Sequence, residues 1–427
     1  NACLPTANWC TAVGERALVS NTTGNYNVAV GHRALEDNVS GADNAAFGTY
    51  ALMDNTGSNN TGIGNYALDA NTTGGSNTAV GRAALSASTT ANDNTALGYA
   101  ALGANTTGED NTAVGSGALD ANTTESNMTA VGYRALGAAN GSSASSAFGA
   151  NALLACTTGN YNNAFGESSL KSVTTGASNC AFGGSALRET TTADNNSAFG
   201  ESALRANTTG AQNTAFGNVA LTANTEGDYN TAVGSAALDS ATTADQNTAI
   251  GYQALQAATT GGSNVAVGSL SLKSVTTAVC NTAVGRDALE ANTSSNMTAF
   301  GFKALEANTT GGQNTALGYT TLQVNTTGGS NTAVGYQVLV ANTTASSNTG
   351  VGDRVLVANT ASSNTAVGAF AMQANTTGTA NVALGLNALN DNTTGDGNTA
   401  VGSGALDLNT TADNNTAVGR NALGANT

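Results

Sequence analysis

Among the residues able to carry chemistry, one pattern dominates: the sequon Asn-x-Ser/Thr, whose asparagine accepts an N-linked glycan when it stands on an exposed loop, occurs 19 times. Thirteen of these asparagines return at one position of a repeat: Asn21, Asn38, Asn71, Asn105, Asn122, Asn207, Asn292, Asn308, Asn325, Asn342, Asn375, Asn392 and Asn409. Others include Asn59, Asn127, Asn195 and Asn296. The same Asn-Thr-Thr-Gly segment is what a tight turn requires, because asparagine hydrogen-bonds its own backbone and glycine takes the strained dihedrals. Two readings therefore stand side by side, a row of glycan acceptors on one exposed edge and a bare turn. Eight coils place another residue there, among them Ser88, Cys156, Val173 and Ala241.

Catalysis requires unlike groups converging in a pocket, and the chain offers a single histidine, His32, on a charged rim. Acidic residues such as Asp43, Asp110, Asp228 and Asp396 wander among rim and loop positions without forming a column of metal ligands. Gly74 to Asn77 and Gly261 to Asn264 read as turns rather than phosphate loops. No enzymatic activity, cofactor or metal is expected. Of five cysteines, Cys3 and Cys10 lie close together ahead of the first regular coil, where a disulfide closing an N-terminal cap is expected and two free thiols are the alternative. Cys156, Cys180 and Cys280 fall at three different repeat positions, so stacking alone would not pair them.

Positioning these residues is the work of a short repeat. Aligned on the glycine that ends each NTAVG-like segment, from Gly14 and Gly31 to Gly402 and Gly419, the chain contains 25 coils. The step is 17 residues in 21 of 24 cases and 16 in the others, after Gly48, Gly285 and Gly352, so a shortened coil loses its residue from a loop. With this glycine as slot 0, slot 4 is Leu in every coil but one, where it is Met372. Slot 16 is always Val, Ile, Leu or Phe, slot 15 is Ala except at Gly62 and Gly350, and slot 13 is Asn in 21 coils.

A unit this short cannot hold a helix pair, and Gly, Asn and Thr at fixed slots oppose helix propagation. The segment Asn-Thr-Ala-Val suits a short strand. The fold class expected is all-β, a parallel β-solenoid (β-roll or β-helix) of 25 coils with a 17-residue repeat. Residues 1–13 form an N-terminal cap and first strand, and 14–427 a continuous solenoid of 16–17-residue repeats whose last coil, unfinished at Thr427, implies truncation. The start at Asn1 implies a processed or truncated product. At about 4.8 Å per coil the stack spans about 120 Å.

In that stack the slot 4 and slot 16 columns are expected to be buried, and the slot 13 asparagines to hydrogen-bond up and down a ladder. Charged residues cluster in slots 1, 2, 5 and 6, as at Glu15, Arg16, Asp69 and Lys171, and form the solvated rim. Slots 15 and 16 must point to opposite faces of the strand, so one face lines the interior and the other keeps a stripe of apolar or small residues. A stripe of that length calls for a partner surface, which a symmetric association of identical chains supplies.

Composition narrows the partners. The net charge of −15, with three lysines and nine arginines, excludes a basic face for nucleic acid. No run approaches the roughly 20 apolar residues of a membrane span. The regular return of apolar residues, 40% of the chain, argues against disorder despite 53 glycines.

Segments such as Asn77 to Gly81 resemble the repeats in the heads of trimeric autotransporter adhesins, and longer units such as Ala67 to Gly81 are similar to shaft repeats of tail-fibre-like surface proteins. The resemblance covers nearly the whole chain after Trp9, with a period longer than that of the adhesin heads. It implies a parallel β-roll, homotrimerisation, display outside the cell or on a virion, and attachment. The function expected is a non-enzymatic extracellular fibre or adhesin shaft, with itself as partner, end to end as an alternative, and with a host-surface or glycan ligand at a tip outside this chain. The alternative is a repeated surface that binds a polysaccharide or an ice-like lattice, with threonines at slots 8, 9 and 14 as its groups.

Overall fold

The computed structural model describes residues 8–426. Among them no helix is present, and 25 three-residue strands follow in chain order from β1 (Thr11–Val13) to β25 (Thr416–Val418). The chain divides into two compact units, each a parallel β-solenoid: Asn1–Asn213, which carries β1 to β12 (Ser197–Phe199), and Thr214–Thr427, which carries β13 (Thr214–Phe216) to β25.

Within each unit a strand pairs with its counterpart one coil on, slot against slot. Thr78, Ala79 and Val80 face Thr95, Ala96 and Leu97 in the first unit; Thr315, Ala316 and Leu317 face Thr332, Ala333 and Val334 in the second. Hydrogen bonds between coils also run outside the strands. The N–H of Leu85 donates to the carbonyl of Ala101 at 3.0 Å, that of Ala83 to Asn65 at 2.9 Å and that of Asp93 to Gly75 at 3.2 Å. This satisfies main-chain groups that a three-residue strand alone would leave unpaired.

Tight corners come from positive φ at fixed slots. Gly81 sits at φ +140°, and a Cβ there would fall on the carbonyl oxygen of Gly98 in the next coil, which is why slot 0 never varies. Slots 2, 4 and 12 are left-handed without needing glycine: Ala83 at 56°, Leu85 at 50° and Asp93 at 58°. For a leucine this conformation costs about 1–2 kcal/mol, which full burial of its side chain, worth about 1.5–3 kcal/mol, offsets.

The interior is narrow. Ala84, Leu85, Ser88, Ala91, Asn94 and Ala96, from slots 3, 4, 7, 10, 13 and 15 of one coil, are all fully buried. Slot 4 is inside as expected, but slot 16 is not. Val13 is 57% exposed, Leu97 47%, Phe216 58% and Phe300 52%. Strand alternation gives the inner position to one of slots 15 and 16, and the space behind the strand admits only a methyl group. At Gly62, which takes alanine's place, a Cβ would lie 3.1 Å from Leu52 Cγ. Val or Phe has room only on the outside.

The shortened coils keep the strands in phase, as in Ala45 against Thr61 and Thr349 against Thr365. The residue is lost between slots 7 and 13. In two of these coils the excision brings the two asparagines into direct contact, Asn60 Nδ2 donating to Asn55 Oδ1 at 3.2 Å and Asn364 Nδ2 to Asn359 Oδ1 at 3.1 Å.

Candidate functional site

In coils such as that of Gly108, two asparagine columns share the slot 10 carbonyl. Asn94 Nδ2 reaches forward to the carbonyl of Gly108 in the next coil at 2.8 Å, and Asn105 Nδ2 donates to the same oxygen from within that coil at 3.0 Å. The slot 13 ladder continues through the main chain, the N–H of Asn94 donating to Asn77 Oδ1 at 3.0 Å. At slot 7 the side chains link directly, as Asn325 Nδ2 to Asn308 Oδ1 and Asn342 Nδ2 to Asn325 Oδ1, both at 2.8 Å. A buried amide costs free energy unless its hydrogen bonds are made. Here the stack makes most of them, while Asn38 Oδ1, Asn71 Oδ1 and Asn342 Oδ1 at slot 7 and Asn281 Nδ2 at slot 13 are buried without a partner.

This geometry corrects the exposed edge expected for Asn21, Asn38, Asn71, Asn105, Asn122, Asn207, Asn292, Asn308, Asn325, Asn342, Asn375, Asn392 and Asn409: all are buried, at 0–1% exposure. In every one of them Nδ2, the atom a glycan would take, donates to a carbonyl two or three residues on. A sugar on that nitrogen would displace the bond and has no room in the interior. The turn reading matches the structure, with the side chain turned inward. Asn59, Asn127, Asn195 and Asn296 differ: they are exposed at slot 12.

Threonines at slot 8, expected as lattice-binding groups, direct their hydroxyls along the stack. Thr72 Oγ1 donates to the Thr89 carbonyl at 2.9 Å and Thr326 Oγ1 to the Thr343 carbonyl at 3.0 Å. The disulfide expected between Cys3 and Cys10 involves Cys3, outside the described residues. Cys10 occupies a slot 13 position, where its Sγ donates to the Gly24 carbonyl at 3.3 Å. Cys156 stands in for asparagine at slot 7, donates to the Gly159 carbonyl at 3.3 Å, and has its thiol pKa pushed up by burial.

On the rim, Glu36 is buried between Arg16 and Arg33 and pairs with both; the hydrogen bond from Arg33 holds its carboxyl below the usual range. Asp69 is raised by burial, and its Oδ1 is buried without a partner. His32 packs edge-on to Tyr50 at 5.4 Å, with Nε2 3.9 Å from Glu15. Among the described residues no three His, Cys, Asp or Glu side chains converge as a metal site, and no helix is long and apolar enough to cross a membrane.

Two further features lie on the outer surface. The first is aromatic ladders. Phe148, Phe165, Phe182 and Phe199 stack on the outer strand face with centroids 4.7, 4.4 and 5.0 Å apart, and Phe302, Tyr319 and Tyr336 stack on the rim at 5.3 and 5.5 Å. The run of phenylalanines at slot 16 from Phe148 to Phe216 is legible in the sequence, whereas the slot 1 ladder escaped sequence reasoning although its rings also occupy one slot in consecutive coils. The second is a pair of polar grooves on the rim of the first unit. One, of about 540 Å³, runs between Glu167 and Glu201 on one wall and Lys171 and Arg188 on the other; the second, of about 210 Å³, lies between Tyr99 and Tyr133. No family model matches the chain, and no curated protein matches its sequence.

Proposed function

We propose that the chain is a non-enzymatic structural protein, an extracellular fibre or adhesin shaft at a cell or virion surface, built from laterally associated copies of itself. Three copies is the number implied by its resemblance to adhesin heads. One observation carries this reading: the outer face of every strand presents Thr, Val or a smaller residue at slot 14, with Asn163 the one exception, and a large apolar residue at slot 16, with no charged residue at either slot. Each coil offers a strip about 10 Å by about 4.8 Å, on the order of 600 Å² in each unit and on the order of 1,200 Å² for the 25 coils of both, against the about 800 Å² per partner of a stable interface. The strip of one unit is at the upper end of the largest patch on a typical free monomer, about 300–600 Å², a patch that is often functional. The regular polar side chains, meanwhile, are engaged in holding the stack and are not presented to a substrate.

Sedimentation velocity on the intact protein tests the reading. The expected result is an oligomer at micromolar concentration, with a mass three times 41.6 kDa, that dissociates when Val114→Lys and Phe182→Lys place charges on the outer face. A folded monomer of 41.6 kDa that is indifferent to these substitutions would overturn it.

A further inference from the structure

Slot 1 supplies a ladder of rings in the second unit, where Phe302, Tyr319 and Tyr336 occupy three consecutive coils and stack within 19° of parallel. In the first unit the same slot of three consecutive coils holds Tyr99, Ser116 and Tyr133. The outer two rungs are present and the middle one is missing. Both tyrosines are more than half exposed, at 56% and 55%. Arg82, from the preceding coil, lies over the Tyr99 ring at 5.8 Å, leaving the opposite face toward the gap. Where Tyr319 stands in the second unit, the first unit has an open cavity of about 210 Å³.

The floor and edge of this cavity are polar. Gly117, at φ +66°, keeps the floor clear; a Cβ there would lie 3.5 Å from Arg134 Cγ and 3.6 Å from Asp120 Oδ2. The Asp120 carboxylate and the aliphatic stem of Arg134 thus flank the same point, and both residues line the cavity, the carboxylate able only to accept hydrogen bonds and the guanidinium only to donate them. Burial raises the Asp120 carboxyl above its ordinary range, and the nearby Arg134 charge offsets only part of the rise.

We propose that the missing rung is a binding site for one pyranose ring of a glycan. A ring inserted midway would meet a tyrosine face on each side at the separations seen between Phe302, Tyr319 and Tyr336. A pyranose presents C–H faces to the two rings and hydroxyls at its edge, which suit an acceptor and a donor together. A purely aromatic guest would fill the gap while leaving Asp120 and Arg134 without new partners, at a desolvation cost. The cavity is below the about 300–1,000 Å³ of drug-sized pockets, which fits one ring rather than an oligosaccharide. The site stands independently of whether chains associate laterally.

The test is saturation-transfer NMR on the full chain with methyl glycosides of glucose, galactose, mannose and N-acetylglucosamine, and p-cresol as a flat aromatic control. At least one glycoside is expected to receive saturation on its ring C–H protons. Ser116→Tyr, which supplies the missing rung from within, should weaken that binding at least about tenfold while leaving the melting temperature unchanged or raised. Ser116→Ala should retain it. Saturation of none of the glycosides, binding that survives Ser116→Tyr, or binding of p-cresol alone would each overturn the proposal.

Discussion

Leu305→Asp should unfold the coils around it. The leucine is fully buried, lies at φ 54°, and its N–H donates to the Thr321 carbonyl of the next coil at 3.0 Å. Truncating such a side chain costs about 2–5 kcal/mol, and an unpaired buried charge adds several more. A typical domain has about 5–15 kcal/mol in total. Because each coil is held only by its neighbours, the damage spreads along the stack rather than staying at one site. Limited proteolysis should show new cleavage within a coil or two of residue 305, with a large fall in melting temperature. Leu305→Met should cost less than about 1.5 kcal/mol, since Met372 fills the same slot elsewhere. A Leu305→Asp variant that melts with the wild type would place this column outside.

Asn325→Asp should be nearly as damaging at neutral pH, although it changes almost no volume. Asn325 Nδ2 donates to Asn308 Oδ1 at 2.8 Å and to the Gly328 carbonyl at 3.0 Å, while its Oδ1 accepts from Asn342. Aspartate keeps the acceptor, loses both donors, and sets a charged oxygen against two others. Each buried group left unsatisfied costs about 1–3 kcal/mol. Burial and those oxygens favour the protonated acid, so the variant's folded-state pKa is expected above its unfolded value of about 3.9. The folded form then binds more protons, and stability falls as pH rises from about 4 toward the raised pKa. The gap in melting temperature from wild type should therefore be small near pH 4 and large at pH 7. Asn325→Val should be milder, because the Gly328 carbonyl still accepts from Asn314 at 2.8 Å and Val173 and Val275 occupy this slot naturally. Equal melting of the Asp and Val variants at pH 7 would contradict the ladder.

The slot 0 glycines, present in all 25 coils, and the slot 4 leucines, replaced only by Met372, made the coil length and the all-β parallel stack legible in the sequence. Which side of the strand faces inward was harder to read. Hydrophobicity ranks valine, leucine and phenylalanine above alanine, and at slot 16, as at Leu97, that ranking points inward; interior width decides otherwise, and width is set by corners that sequence patterns do not display. The left-handed leucines are part of this, since such dihedrals are ordinarily assigned to Gly or Asn. Asn71 and its equivalents carry three meanings in the same letters, sequon, turn and ladder, and only the direction of the side chain separates them. The gap at Ser116 left no motif at all, because its signal is a ring absent from a column that is otherwise flanked by rings.

The chain's own cysteines test the inside and outside of the coil without any substitution. Cys280 is exposed at slot 12, Cys180 is half-buried at slot 14 on the outer strand face, and Cys156 is buried at slot 7. Burial raises the thiol pKa of both Cys156 and Cys180, which lowers their reactive thiolate fraction. The measurement is the rate of iodoacetamide alkylation at each site in the native protein, read by peptide mass spectrometry. The predicted order is Cys280 fast, Cys180 slow and slower still when copies cover the outer face, and Cys156 unreactive until the stack is denatured. Alkylation of Cys156 at the rate of Cys280 would contradict the stacked coil itself.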